Sequence, residues 1–94
     1  MYQFWTKTVV QKLAGTVVSG NENSSYMLID ITDAKASRKP EIVIATPGSF
    51  TGYIDYQYDD DTSTKDAIKL HLLNAGAKFN ANSSVRLSIL CIWY

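Results

Sequence analysis

The sequence of 94 residues contains a single cysteine, Cys91, so no disulfide can close within the chain. It contains a single histidine, His71. A zinc site needs several Cys or His ligands, and two such residues cannot supply one, so no metal is expected. A Cys91–His71 or Ser–His71 enzyme would also need an orienting carboxylate. Cys91 sits in an apolar run, where a thiol is usually inert. The five glycines, at positions 15, 20, 48, 52 and 76, match neither G-x-G-x-x-G nor the phosphate-loop spacing, and no G-x-S-x-G occurs. No catalytic constellation is present, and the chain is expected not to be an enzyme and to need no cofactor.

Charge of one sign is also lacking. Nine Lys and Arg balance nine Asp and Glu. That balance argues against nucleic acid as the default partner, because affinity there scales with the phosphates neutralised. The basic loop K-A-S-R-K at 35–39 is too small to change this by itself. No apolar run approaches the roughly 20 residues of a membrane-crossing helix. The first residues show no basic stretch followed by an apolar one, so no signal peptide is expected, and a cytoplasmic or virion setting is favoured. Asn23-Ser24-Ser25 and Asn82-Ser83-Ser84 fit the N-glycosylation pattern, but without a secretion signal they read as turns.

What is present is alternation, and it points to one mainly β domain over 1–94. In Ser49 to Asp61, Phe50, Gly52, Ile54, Tyr56 and Tyr58 fall on one face of an extended strand. Thr51, Tyr53, Asp55, Gln57 and Asp59 fall on the other. Residues 2–10 read as a first strand with no clean solvent face, and Val10 to Ser19 as its continuation or a second strand after a bend near Gly15. Gly20 to Ser25 reads as a turn. Tyr26 to Thr32 is apolar on both faces in its first half and reads as a central strand. Glu41 to Thr46 reads as a short buried strand. Pro47-Gly48 then marks a turn, joining it to 49–58 as a hairpin. Asp66 to Asn74 fits either a strand, with Ile68, Leu70 and Leu72 inward, or a short helix near 64–76 capped by Thr64 and Gly76. Phe79, in the loop 75–84, is placed to plug the core edge. Residues 85–94 form a last strand with Val85, Leu87, Ile89, Cys91 and Trp93 on one face. The expected architecture is a small antiparallel β-sandwich or barrel of six to eight strands.

Candidate contact residues follow from this layout. Tyr53, Asp55 and Gln57 would form an outward aromatic-polar patch suited to a sugar or a protein. Trp5, Trp93 and Tyr94 lie in end strands whose apolar faces must be covered by the fold or by a partner. The first and last strands should lie together, with at least one of the two tryptophans packed against another copy or a partner. The acidic cluster Asp59, Asp60 and Asp61 lacks the Gly and Glu of a calcium loop, with Thr64 and Leu70 in their places, and reads as a solvated loop. We therefore expect a non-enzymatic binding or assembly module acting through protein–protein contacts: a homo-oligomer, a virion-type structural unit, or an inhibitor of a partner protein. The alternative is a carbohydrate-binding module centred on Tyr53, Asp55 and Gln57.

Overall fold

Among the described residues, the longer stretches of alternating apolar and polar residues form strands. The computed structural model describes residues 2–12, 17–18, 21–48, 54–74 and 84–94. Among them are seven strands: β1 Gln3–Lys12, β2 Val17–Val18, β3 Asn21–Asp30, β4 Ile42–Gly48, β5 Ile54–Asp59, β6 Ala67–Asn74 and β7 Ser84–Trp93. The only helical pieces among these residues are 3-10 turns at Thr32–Ala34 and Asp60–Thr62. The strands form two antiparallel sheets, β1-β7-β4 and β2-β3-β6-β5. The mainly β class and the sandwich architecture expected from the sequence are present.

The core is what the inward alternation puts between the sheets. Val85, Leu87, Ile89, Cys91 and Trp93 of β7 are all buried. With Trp5, Val43 and Ala45 they meet Met27, Ile29, Ile31, Ile68, Leu70 and Leu72 of the other sheet. Ile54, Tyr56 and Tyr58 pack against this cluster from β5. β7 is central in its sheet, paired with β1 from Gln3↔Trp93 to Lys12↔Ser84 and with β4 from Ile42↔Ile92 to Gly48↔Arg86. The first and last strands therefore lie side by side, as expected.

Three expectations are corrected. Pro47 and Gly48 do not turn the chain; they extend β4 opposite Leu87 and Arg86. β4 is an edge strand, and an edge tolerates a residue that cannot donate to the ladder. β4 and β5 consequently form no hairpin, because they belong to different sheets. Most of the expected turn at Gly20 to Ser25 is strand: β3 begins at Asn21, and Ser24 and Ser25 pair with Leu73 and Leu72. Pairing with a β6 rich in apolar residues outweighs the turn preference of Asn and Ser. Of the two readings of 66–74 the strand is present, since β6 pairs with both β3 and β5 and fills the middle of its sheet. Gly15, Phe50, Thr51, Gly52, Tyr53, Gly76 and Phe79 lie outside the described residues.

The connection from β3 to β4 ties the sandwich at one end. Asp30 Oδ1 accepts the Thr32 N–H at 2.8 Å and starts the 3-10 turn. Lys35 ends it in the left-handed conformation, φ 53°, with its N–H on the Thr32 carbonyl. Beyond it, the Arg38 carbonyl accepts the Trp93 indole N–H at 2.8 Å. The Pro40 carbonyl accepts the Tyr58 hydroxyl at 2.8 Å.

Candidate functional site

The end residues separate into two kinds. Trp93 is 3% exposed and Trp5 9%, both covered by this chain alone. The Trp5 indole N–H donates to Asp33 Oδ1 at 2.9 Å, so each ring has its polar edge satisfied within the chain. The expectation that a partner shields one of them is corrected: the connection at 32–38 supplies the cover and both hydrogen-bond acceptors. Tyr94 is exposed, edge-on to Tyr2 with ring centroids 6.1 Å apart. Its backbone N–H donates to Glu41 Oε2 at 3.0 Å, and its carbonyl accepts from Arg38, which also pairs with Glu41.

The same contacts account for the basic loop. Arg38 is engaged by Glu41 and Tyr94, and Lys39 donates to the Asp60 carbonyl at 2.6 Å. These cations fasten the loop and the last strand. The acidic turn is likewise structural: Ser63 Oγ donates to the Asp59 carbonyl and accepts the Lys69 N–H at 2.9 Å. Asp60 and Asp61 are exposed. Among the described residues no group of three or more His, Cys, Asp or Glu is arranged to hold a metal ion.

Asp55 and Gln57 project from the outer face of the four-stranded sheet, as the alternation of β5 predicts. Tyr53 lies outside the described residues. Gln57 is opposite His71, and His71 is opposite Tyr26. The Tyr26 and His71 rings stack at 4.5 Å, and Lys69 Nζ stands 4.4 Å from the Tyr26 centroid. Asp55, Tyr56, Gln57, His71 and Leu73 line a shallow cavity of about 210 Å³. His71 Nε2 is buried there with no hydrogen-bond partner. Cys91 is in the core and on the other sheet, so these two residues do not form a nucleophile–base pair. Burial raises the Cys91 thiol to about 11, the wrong direction for a nucleophile.

A further surface feature, not evident from the sequence residue by residue, lies on the other sheet. The outer face of the three-stranded sheet is built in cross-strand rows. Register places Phe4, Ile92 and Ile42 in one row, and Thr6, Leu90 and Ile44 in the next. Thr8, Ser88 and Thr46 form the third. Phe4 is 62% exposed and Ile44 43%, with Ile42, Tyr2 and Tyr94 also exposed. A hollow of about 590 Å³ opens over the middle and hydroxyl rows, lined by Thr6, Lys7, Thr8, Ile44, Thr46, Ser88, Ile89 and Leu90. Ile44, expected in the core, is on this face; Val43 and Ala45 take the inward positions of β4. The signal was present in β7, where Leu90, Ile92 and Tyr94 make the second face apolar. Its continuation onto β1 and β4 needed the register.

Comparison with family models, with curated proteins and with solved structures finds no match to this chain. Among the described residues, no helix is long and apolar enough to cross a membrane.

Proposed function

We propose that this protein is a non-enzymatic binding or assembly module whose working surface is the apolar outer face of the β1-β7-β4 sheet. One observation carries the reading: two successive cross-strand rows, from Phe4 to Ile42 and from Thr6 to Ile44, hold four large aliphatic side chains, a phenylalanine and a threonine, with no charged residue. An antiparallel sheet with one solvated face normally alternates apolar-in and polar-out, so apolar rows on the outer face are the exception. Contiguous exposed apolar surface of this kind marks protein contact sites. The aromatic flank of Tyr2, Phe4 and Tyr94 supplies the ring types that anchor interfaces.

The test is a photo-reactive phenylalanine analogue placed at position 44 and, separately, at position 57 on the opposite sheet, irradiated in the producing cell. A discrete adduct from position 44 and none from 57 is expected. No adduct from position 44, with the protein folded, removes this face as the working surface.

A second reading keeps the opposite face for a glycan, supported by the cavity that joins Asp55 and Gln57 to the unpartnered His71 Nε2. Glycan-array binding that is lost in Asp55→Ala and Gln57→Ala would favour it; an array without signal ends it.

A further inference from the structure

We infer that the occupant of the apolar face is a second copy of this chain, docked sheet on sheet about a two-fold axis that crosses the strands at the Thr6–Leu90–Ile44 row. The inference rests on the proposed use of this face and names its partner.

Shape carries it first. The face is not uniformly apolar along the strands. Bulky side chains crowd the row Phe4–Ile92–Ile42, short hydroxylic ones the row Thr8–Ser88–Thr46 beside the hollow, and Val10, Arg86 and Gly48 form the next row beyond them. The Phe4 and Thr8 rows lie equally far from the row between them, two residues on either side along each strand. A two-fold axis along that middle row reverses the strand direction of the second copy and leaves each strand over its own mate. Phe4 then stands over Thr8 of the other copy, Ile92 over Ser88 and Ile42 over Thr46. The bulky row thus meets the hydroxylic row, by symmetry twice, as an isologous interface requires, while Leu90 and Ile44 on the axis row meet their own counterparts. An axis along the strands would instead set ridge on ridge.

Size agrees. Three strands about 4.8 Å apart and the seven paired residues of β4, about 3.4 Å each, give a face of roughly 14 by 24 Å. Two such faces with side-chain relief remove on the order of 1,000 Å² from water, the lower bound for a specific interface and the range of reversible ones. Sheets packed this way sit about 10 Å apart, the ordinary spacing of a sandwich. Charge does not oppose it. The chain has zero net charge, so two copies approach without long-range repulsion. The Phe4, Thr6 and Thr8 rows carry no charge to desolvate; Arg86, in the next row between Val10 and Gly48, stands at the rim of the face.

The experiment combines mass and proximity. Sedimentation velocity on the parent chain, from about 1 μM to about 1 mM, brackets a weak interface. The mass should rise from 10.5 kDa toward twice that value. Ile44→Lys and Thr46→Lys, both at exposed positions, should hold the monomer mass throughout. Gln57→Lys, on the opposite sheet, should behave as the parent does. Proximity is read with a bismaleimide of about 10 Å, matched to the inter-sheet spacing. Ile44→Cys should cross-link to a dimer. Val10→Cys should not, because the axis sets its two copies roughly 27 Å apart at about 3.4 Å per residue. The parent is the control, with Cys91 shielded in the core.

A parent that stays at 10.5 kDa at every concentration overturns the second copy. The face itself then stands or falls separately: an adduct of some other mass from position 44 in the cell keeps it as a contact site. A mass that doubles equally in Ile44→Lys and Thr46→Lys overturns the inference by moving the dimer elsewhere. Cross-linking through Val10→Cys but not Ile44→Cys overturns the axis.

Discussion

Ile29 and Ile44 carry the same side chain in sequence settings that look alike, and the fold separates them. Ile29 is 2% exposed between the sheets, whereas Ile44 is 43% exposed on the outer face. Truncating either to alanine removes three carbon groups, each worth about 0.8 kcal/mol when fully buried. At Ile29 the transfer loss is therefore about 2.4 kcal/mol, and the cavity left among Met27, Ile68 and Leu70 raises it to roughly 3–4 kcal/mol. At Ile44 close to half of that loss applies and no closed cavity forms, so about 1 kcal/mol is expected. For a domain of this size about 4–8 °C is lost per kcal/mol, which predicts a fall of roughly 12–30 °C for Ile29→Ala and roughly 4–8 °C for Ile44→Ala. The assay is thermal unfolding of both variants and the parent by far-ultraviolet circular dichroism, at a concentration low enough for a monomer. Equal falls would refute the assignment of the two isoleucines to different faces. Repeating the melts at high concentration adds a second check. A dimer stabilises the native state by mass action, so the cost of Ile44→Ala should grow with concentration while that of Ile29→Ala stays constant.

Two further outcomes follow from the interior and from the acidic turn. Burial raises the folded Cys91 thiol from 9.0 to about 11, so between those values the native state holds a proton that the unfolded chain releases. Its contribution is complete below pH 9 and lost as pH rises toward 11; melting temperature should fall there, less so in Cys91→Ala, and Ellman's reagent should react only after denaturant is added. Replacing Asp59, Asp60 and Asp61 together with Asn should leave the melting temperature within a few degrees of the parent, and calcium should stabilise neither protein. A saturable, calcium-specific rise in the parent that the triple variant lacks would show that the turn binds the ion.

How far the fold was legible depended on whether one strand could settle the matter alone. The inward face of β7 was readable because five apolar residues alternate without a break, and all five are buried. The faces of β5 were readable for the same reason: Ile54, Tyr56 and Tyr58 pack inward while Asp55 and Gln57 are exposed. Pro47-Gly48 was not readable. The pair is a turn signal in isolation, and only the position of β4 at a sheet edge makes it compatible with a strand. The strand at 21–25 was hidden because its Asn and Ser residues favour turns, and the reason to extend lies in β6, some 50 positions away. Trp5 and Trp93 were misassigned for a related reason. Their cover comes from Asp33 and the Arg38 carbonyl, on a connection whose composition says only that it is polar.

The proposed contact face was the least legible part, and comparing the two outer faces gives the reason for proposing it. Phe, Ile and Thr are all good strand formers, so their presence on an outer face has an ordinary explanation in β propensity. Propensity alone would treat the two outer faces alike. On the four-stranded sheet the exposed Tyr26, Leu28 and Leu73 are interleaved with Asp30, Asp55, Gln57 and Lys69. Their apolar area is broken into pieces, and such single exposed residues need no special account. On the three-stranded sheet the rows from Phe4 to Ile44 contain no charge and the hydroxyl row adds none; Arg86 enters only in the row beyond. Two adjacent apolar rows beside β1, a ten-residue edge strand, invite unwanted association unless something specific covers them. Lys or Glu at Thr6, Ile44 or Ile92 would remove that hazard at little cost to a side chain that does not fill the core. The chain instead keeps charge off these rows and sets bulky residues on one side of the middle row and small ones on the other. That gradient does nothing for the interior of a single copy, and it is the shape a second copy would need.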